Sequence, residues 1–412
     1  MFHLAMTTRR LYYDDAFQRE FDATVLSCEA EQPGAHARWG VVLGSTALYP
    51  TSGGQPNDIG KLDEAHVLDV RDEGEEIVHV VDRELPLGPV HGCIDWARRF
   101  DHMQQHTGQH LLSAMLQERY GRPTVSFHLG TDICTIDLRG PEPGNDVLEG
   151  AERAANQIIA DDRPVTVRYG TAEEFAEEGV RKEVEREGIL RAIEIEGVDL
   201  QPCGGTHVNR TAQIGTLLVR GCSKIRQDWR VEFLCGSRAQ RAARADFLLV
   251  RGVAERLKCA PQDVVVAAER AVAERDAHFK ASRTLLERLA EAEAALSLQG
   301  SSVASAGSPR IVSRVFQEDT PAEYLGHFAT ALAKAEGKAA LLARFPGGEL
   351  VFAQHPSVGK DMAALLKQVL AKFGGKGGGT RDFVRGRLND AAQGEEALKY
   401  ARELLTARAV TQ

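Results

Sequence analysis

The chain has 412 residues, 43% hydrophobic and 26% charged, which is ordinary globular composition with material for two or three domains with buried cores. No apolar run approaches a membrane span and the start MFHLAMTTRR lacks a signal-peptide core, so neither a membrane nor export is expected; seven cysteines without a framework pattern fit a reducing cytoplasm. A net charge of −9 argues against a protein that coats nucleic acid over its whole surface, yet from residue 301 onward 15 Lys and Arg face 11 Asp and Glu, so a local basic face stays open.

From Leu11 to about Ala97 the runs DATVLSCEA, RWGVVLGSTALYP, GKLDEAHVLDVRDEG and EIVHVVD are short and β-prone, parted by Gly, Pro, Asp and Asn. They predict a small β-barrel or sandwich over residues 1–96. Inside it lies Tyr49-Pro-Thr-Ser-Gly-Gly-Gln-Pro56. This reads either as a plain Gly-rich turn or as a loop where Gly53 and Gly54 admit a ligand close to the backbone while Gln55 aims an amide at it.

A second, α/β part is expected over residues 97–236. It opens with DHMQQHTGQHLLSAM, where His106 and His110 stand four apart and so share one helical face. Leu111, Leu112, Met115 and Leu116 keep the helical period. In the commoner metal helix HExxH a glutamate follows the first histidine; here Thr107 stands there, which disfavours a zinc protease. Strands follow near Thr124–His128 and Cys134–Leu138, then a helix over Val147–Asp161 and a charged, solvated helical stretch over Thr171–Gly188. Ser126 and His128 alternate with Phe127 and share a strand face, either plainly polar or lining a pocket. At Gln201–Val208, QPCGGTHV again sets Cys203 and His207 four apart, but in a turn. Two histidines and a Cys/His pair supply the nitrogen and sulfur donors that zinc takes tetrahedrally, so the four are candidate ligands of one Zn²⁺. His207 is open between two roles: fourth ligand, or unbound and free to act as base or to bind the substrate.

Residues 237–299 read as a helical arm interrupted at Pro261, with Leu285, Leu289, Ala292 and Leu296 forming a short coiled-coil-like seam that would either dimerise or fold back. Gly300–Ser308 is a linker, and residues 300–412 form a last α/β unit. Its Gly-rich loop GGKGGGTRDFVRGRLND is no P-loop, since glycine follows its Gly-Lys. With Lys372, Lys376, Arg381, Arg385 and Arg387 it suits a phosphate backbone. The whole is predicted as α+β.

HTGQHLL followed by CGGTHV resembles the paired signature of the editing domain of alanyl-tRNA synthetase and of the free-standing alanyl-tRNA editing (AlaX) proteins; the editing domain of threonyl-tRNA synthetase is the nearest alternative. The likeness runs from about residue 10 to the C-terminus, whose last unit is similar to the DHHA1 domain that contacts tRNA. It implies a zinc-containing editing site and a Gly-Gly-Gln loop near the aminoacyl end of the tRNA. Candidate catalytic residues are then Thr51, Gln55 and Thr206, with Ser52, Gly53, Gly54, Ser126 and His128 binding substrate. The implied activity is deacylation of tRNA(Ala) mischarged with serine or glycine, without ATP, on esters made elsewhere. Such a site is needed because a pocket for alanine cannot strongly reject an isostere that adds a hydroxyl. Other expectations are a deacylase for Thr- or D-aminoacyl-tRNA, or a zinc-stabilised RNA-binding protein without turnover.

Overall fold

The computed structural model describes residues 7–32, 37–181, 188–299, 309–317 and 319–407. They form two compact units, Met1–Gly252 and Val253–Gln412, and both mix helices with separate sheets, as the expected α+β class requires. Among the described residues no helix is long and apolar enough to cross a membrane.

After a two-residue strand (Arg9–Arg10) and a single helical turn (Leu11–Asp14), the first unit continues with β1 (Glu20–Gln32), β2 (Arg38–Leu43), β3 (Gly60–Leu62), β4 (Ala65–Glu73), β5 (Glu76–Val81) and β6 (Gly88–Ile94). They pair antiparallel in the order β1-β2-β5-β4-β3-β6, and β6 pairs again with β1, so the ladder closes on itself. Alternate residues point inward, and Val25, Val41, Leu43, Leu62, Val70 and Ile77 meet in one apolar core.

Helix α1 (Trp96–Tyr120) follows, capped by Asp95, which accepts from Arg98 N at 3.1 Å. Residues 102–116 are buried without a break, so α1 is enclosed on every face. Helix α2 (Asn145–Ala160) packs beside it. Also around it are a four-stranded and a three-stranded sheet. The first joins β7 (Thr124–Leu129), β8 (Cys134–Leu138), β12 (Leu217–Ile225) and β13 (Asp228–Cys235) in the order β12-β13-β8-β7; the second is β9 (Val165–Gly170), β10 (Leu190–Ile195) and β11 (Asp199–Pro202). Of the stretch expected to be helical over Thr171–Gly188, only Ala172–Glu177 is helix; residues 182–187 lie outside the described ones. Helix α3 (Gly236–Leu257) begins directly at the end of β13.

The second unit starts in α3, and α4 (Val264–Gln299) follows a turn at Pro261–Asp263, where the proline was expected to break the helix. The expected linker at Gly300–Ser308 lies outside the described residues. A five-stranded sheet then runs β14-β15-β16-β18-β17, with β14 (Arg310–Phe316), β15 (Lys338–Arg344), β16 (Glu349–Gln354), β17 (Gly375–Gly379) and β18 (Phe383–Leu388). Strand β15 is buried on both faces: Ala339, Leu341 and Ala343 meet α6 (Met362–Phe373) and α7 (Gly394–Thr406), while Ala340 and Leu342 meet α4 and α5 (Ala322–Ala333).

One expectation is corrected here. The Gly-rich stretch is a strand, not a loop: β17 pairs with β18 in register from Gly375↔Leu388 to Gly379↔Val384. A Cβ on Gly377 would fall 2.6 Å from the Arg385 carbonyl oxygen and the Gly386 Cα, so glycine is what lets these backbones lie under α6. Of the two roles open to the seam on α4, folding back on its own unit is not the one seen, since Leu285, Leu289 and Leu296 are 64, 50 and 66% exposed. The stripe that packs on α5 is Leu286, Ala290 and Ala294, where small side chains let two helices approach closely.

Candidate metal centre and its cavity

Helix α1 presents His106 and His110 with ring centroids 5.4 Å apart. Strand β11, paired to β10 through Ala192↔Pro202, delivers the CGGTH turn opposite them, and the His207 ring lies 4.4 Å from that of His106 and 4.9 Å from that of His110. One donor atom from each of His106, His110, Cys203 and His207 lies within 4.8 Å of all the others. Cys203 Sγ stands 3.5 Å from His106 Nε2 and 3.3 Å from His207 Nε2.

Each imidazole is held from behind through its other nitrogen. His106 Nδ1 meets Gln55 Oε1 at 2.9 Å, His110 Nδ1 meets Asp199 Oδ2 at 3.1 Å, and His207 Nδ1 meets Thr107 Oγ1 at 3.1 Å. Metal-binding histidines are oriented in this way, with the free nitrogen turned to the ion. Thr107, which stands where a protease would keep its glutamate, thus anchors a ring; it also donates to the Met103 carbonyl at 2.8 Å. Asp199 is tied in turn by Arg181 Nε at 2.8 Å.

The electrostatics point the same way. Burial works to raise the Cys203 thiol pKa, but His106 and His207 outweigh it and hold it well below the ordinary value. Burial lowers His207 to about 3, whereas at His110 the bond to Asp199 and the Cys203 sulfur overcome burial and raise the pKa to about 9. The Cys203 thiolate therefore calls for positive charge at this spot, which a divalent cation would meet. Three nitrogens and a thiolate form a donor set that fits zinc.

A cavity of about 310 Å³ opens beside the cluster, lined by His106, His110 and Cys203 but not by His207. Ser52 and Gly53 from the Gly-Gly-Gln turn, Gln109 from α1 and Ser126 from β7 also line it. Phe127 stacks on His106 with centroids 5.3 Å apart. The other expected site residues lie elsewhere. Gln55 is fully buried, its amide committed to Thr206 Oγ1 (2.8 Å), Thr206 N (3.1 Å) and His106, so it braces the centre and does not face the cavity; Thr206 is equally buried. Thr51 closes the turn by accepting from Asn57 N at 3.1 Å, Gly54 O accepts from Leu129 N at 3.2 Å, and His128 is exposed outside the cavity lining.

The five basic residues expected to meet nucleic acid also separate. Lys376 pairs across the hairpin with Arg387, and Arg385 alternates with Arg387, so these three share the face of β17 and β18 away from α6. Lys372 lies over the Tyr400 ring at 3.9 Å, and Arg381 reaches the Gly359 and Lys360 carbonyls at 3.3 and 3.4 Å.

Sequence reading missed Asp199, Arg181 and the buried pair Arg99–Asp58. Asp199, four residues before Cys203, was the one legible sign, since a ligating histidine wants a carboxylate behind it. Gly205 has a sharper requirement: a Cβ there would lie 2.2 Å from His106 Cε1 and 3.0 Å from Gln55 Oε1. Gly205→Ala should therefore displace the His106 ring and weaken zinc affinity about 10- to 100-fold, measured by competition with a chromogenic chelator.

Two family models match the chain: the threonyl and alanyl tRNA synthetase second additional domain over residues 190–231, and the DHHA1 domain over residues 307–407. The alanyl-tRNA editing protein AlaX-L of Pyrococcus horikoshii is 32% identical over 96% of this chain and 98% of its own length. The chain belongs to the alanyl-tRNA editing protein family. A second family member, the Aarsd1 protein of Rattus norvegicus, is 33% identical over 62% of this chain and 66% of its own. The alanine–tRNA ligase of Pyrococcus furiosus is 30% identical over 95% of this chain, which spans 43% of the ligase. The first model covers Cys203 and His207; the histidines of α1, which this family member sets opposite them, lie before it.

Proposed function

We propose that this chain is a zinc-dependent deacylase that hydrolyses the ester of tRNA(Ala) mischarged with serine, and secondarily with glycine. The observation that carries this reading is the convergence of four zinc-type donors beside a cavity with hydroxyls in its wall, in a chain of the alanyl-tRNA editing family. His106, His110, Cys203 and His207 would hold the ion, whose chemistry when bound is to polarise a carbonyl or lower the pKa of a water to about 7.

The remaining work falls to the chain's own groups. His207 lies outside the cavity lining and turns its Nε2 toward Cys203, which favours the role of fourth ligand over that of base. Ser126 Oγ donates to Asp137 Oδ2 at 2.6 Å, and Arg230 keeps that carboxylate charged through contacts of 2.8 and 2.9 Å. With its proton committed, the Ser126 oxygen is left as an acceptor for a substrate hydroxyl. Ser52, from the Gly-Gly-Gln turn, is the second candidate. An alanyl ester would leave that acceptor unpaired, at a cost of roughly 1–3 kcal/mol. We assign Gln55 and Thr206 to positioning His106. Lys376, Arg385 and Arg387 are proposed to meet the tRNA backbone, and the expected divisions at residues 96, 236 and 299 remain the proposed domain limits.

Initial rates on Ser-, Gly-, Ala- and Thr-charged tRNA test the reading. Serine should be released at least tenfold faster than alanine. Equal rates on both would remove the editing role, and a preference for Thr-tRNA would redirect it to another error.

A further inference from the structure

Helix α1 carries a third histidine on the face of the other two. His102 precedes His106 by four residues, as His106 precedes His110, so the rings follow one another at intervals of about 6 Å of helix rise. His102 is 3% exposed, and its Nδ1 has no hydrogen-bond partner among the described residues. It lines a second cleft, of about 390 Å³, together with Arg98 of the same helix, Arg238 and Arg241 of α3, and Gly130–Thr131. Pro56, which directly follows the bracing Gln55, forms part of the same wall.

The charges in this cleft do not cancel. Its one carboxylate, Asp101, is taken by Arg238, whose Nε lies 2.9 Å from both oxygens and whose Nη1 donates to the Gly130 carbonyl at 2.6 Å. Among the described residues, Arg98 spends only Nε, on the Asn57 carbonyl at 2.9 Å, and Arg241 reaches only the Ser237 hydroxyl, at 3.4 Å. Burial first, then Arg98 and Arg238, push the His102 pKa down to about 3, so the ring is neutral and offers one N–H. Two guanidiniums with spare donors beside a neutral imidazole, with the cleft's carboxylate already taken, make a site for a phosphate oxygen.

We propose that this cleft holds the phosphodiester immediately before the aminoacylated terminal nucleotide of the tRNA, with Arg98 and Arg241 on its oxygens and His102 as a further donor. The assignment rests on the reading that an aminoacyl-tRNA 3′ end occupies the neighbouring cavity. One turn of α1 between the two sites matches one nucleotide of single strand. The terminal phosphate group thus sets how deeply the ester enters.

The zinc-loaded full chain is titrated, by fluorescence anisotropy, with a 5′-labelled CCA trinucleotide and with the same probe carrying a neutral methylphosphonate in its last linkage. The native probe should bind about tenfold tighter, as one charge-assisted contact would give. Arg98→Gln/Arg241→Gln should remove that difference, lower the slope of log affinity against log salt by about 0.7 per lost contact, and leave the neutral probe unaffected. Arg241→Gln alone, at an exposed position with one weak contact, should give a partial loss in a protein whose melting temperature is unchanged. Indifference of the wild type to the methylphosphonate, or equal weakening of both probes in the variants, would overturn the site. Because binding needs no turnover, a chain that discriminates the probes yet deacylates no tRNA would keep the phosphate site and lose the proposed function.

Discussion

Replacing Cys203 by alanine is expected to abolish stoichiometric zinc and to cut Ser-tRNA(Ala) deacylation by more than a hundredfold. The loss should exceed the 10- to 100-fold that follows from disturbing groups behind a ligand, because the only thiolate among the four donors is gone. The three histidines would remain, but His110 then lies beside Asp199 without its sulfur partner. A stability signature should accompany the rate. Zinc at a thousand times its dissociation constant stabilises the folded state by about 4 kcal/mol. A chelator should therefore lower the melting temperature of the wild type by several degrees and leave that of Cys203→Ala unmoved. Full activity in the alanine variant would refute the ligand role.

Asp58→Ala should destabilise the zinc-loaded protein by about 3–5 kcal/mol, the largest effect expected outside the metal centre. Asp58 and Arg99 are both fully buried; the carboxylate also accepts from Tyr49 N at 2.7 Å, while the guanidinium donates to the Ala16 and Ala47 carbonyls at 2.8 and 2.5 Å. This one pair fastens α1 to the chain on both sides of the Gly-Gly-Gln turn. Removing the carboxylate strands a charge in the interior, which is the costly case. Asp58→Ala/Arg99→Met should lose less than the two single changes added together, since neither charge is left alone. Urea unfolding checks both, and a loss below 1 kcal/mol for Asp58→Ala would show the pair to be incidental.

What could be read from the sequence followed from how local each signal is. HTGQH and CGGTH disclose their donors because each half is set within five residues, and the chemistry of His and Cys then argues for joining the halves. The supports are not local. His110 and Asp199 are 89 residues apart and Arg99 and Asp58 are 41 apart, and no periodicity links them. Gln55 shows the same limit: an amide in a Gly-rich turn suggests a ligand contact, but the turn folds inward and spends it on His106 and Thr206. Ser126 and His128 share a strand face, yet of the two only Ser126 lines the cavity, which alternation along a strand does not reveal.

The Gly-rich hairpin and the packing of α4 on α5 have a common cause. Glycine has a poor intrinsic strand preference, so GGKGGG reads as loop until β18 supplies a partner with which such a backbone alone can pair so closely. On α4 the large leucines suggested the seam, while contact with α5 selects the alanines. In both places a tight backbone approach, which only small residues permit, decides which residues meet.

X-ray absorption at the zinc K-edge of the purified chain tests the metal centre most directly. Three nitrogens at about 2.0–2.1 Å and a single sulfur at about 2.3 Å are predicted, with the sulfur shell lost in Cys203→Ala. A first shell without sulfur, or a protein that retains no zinc after gel filtration, would contradict the account.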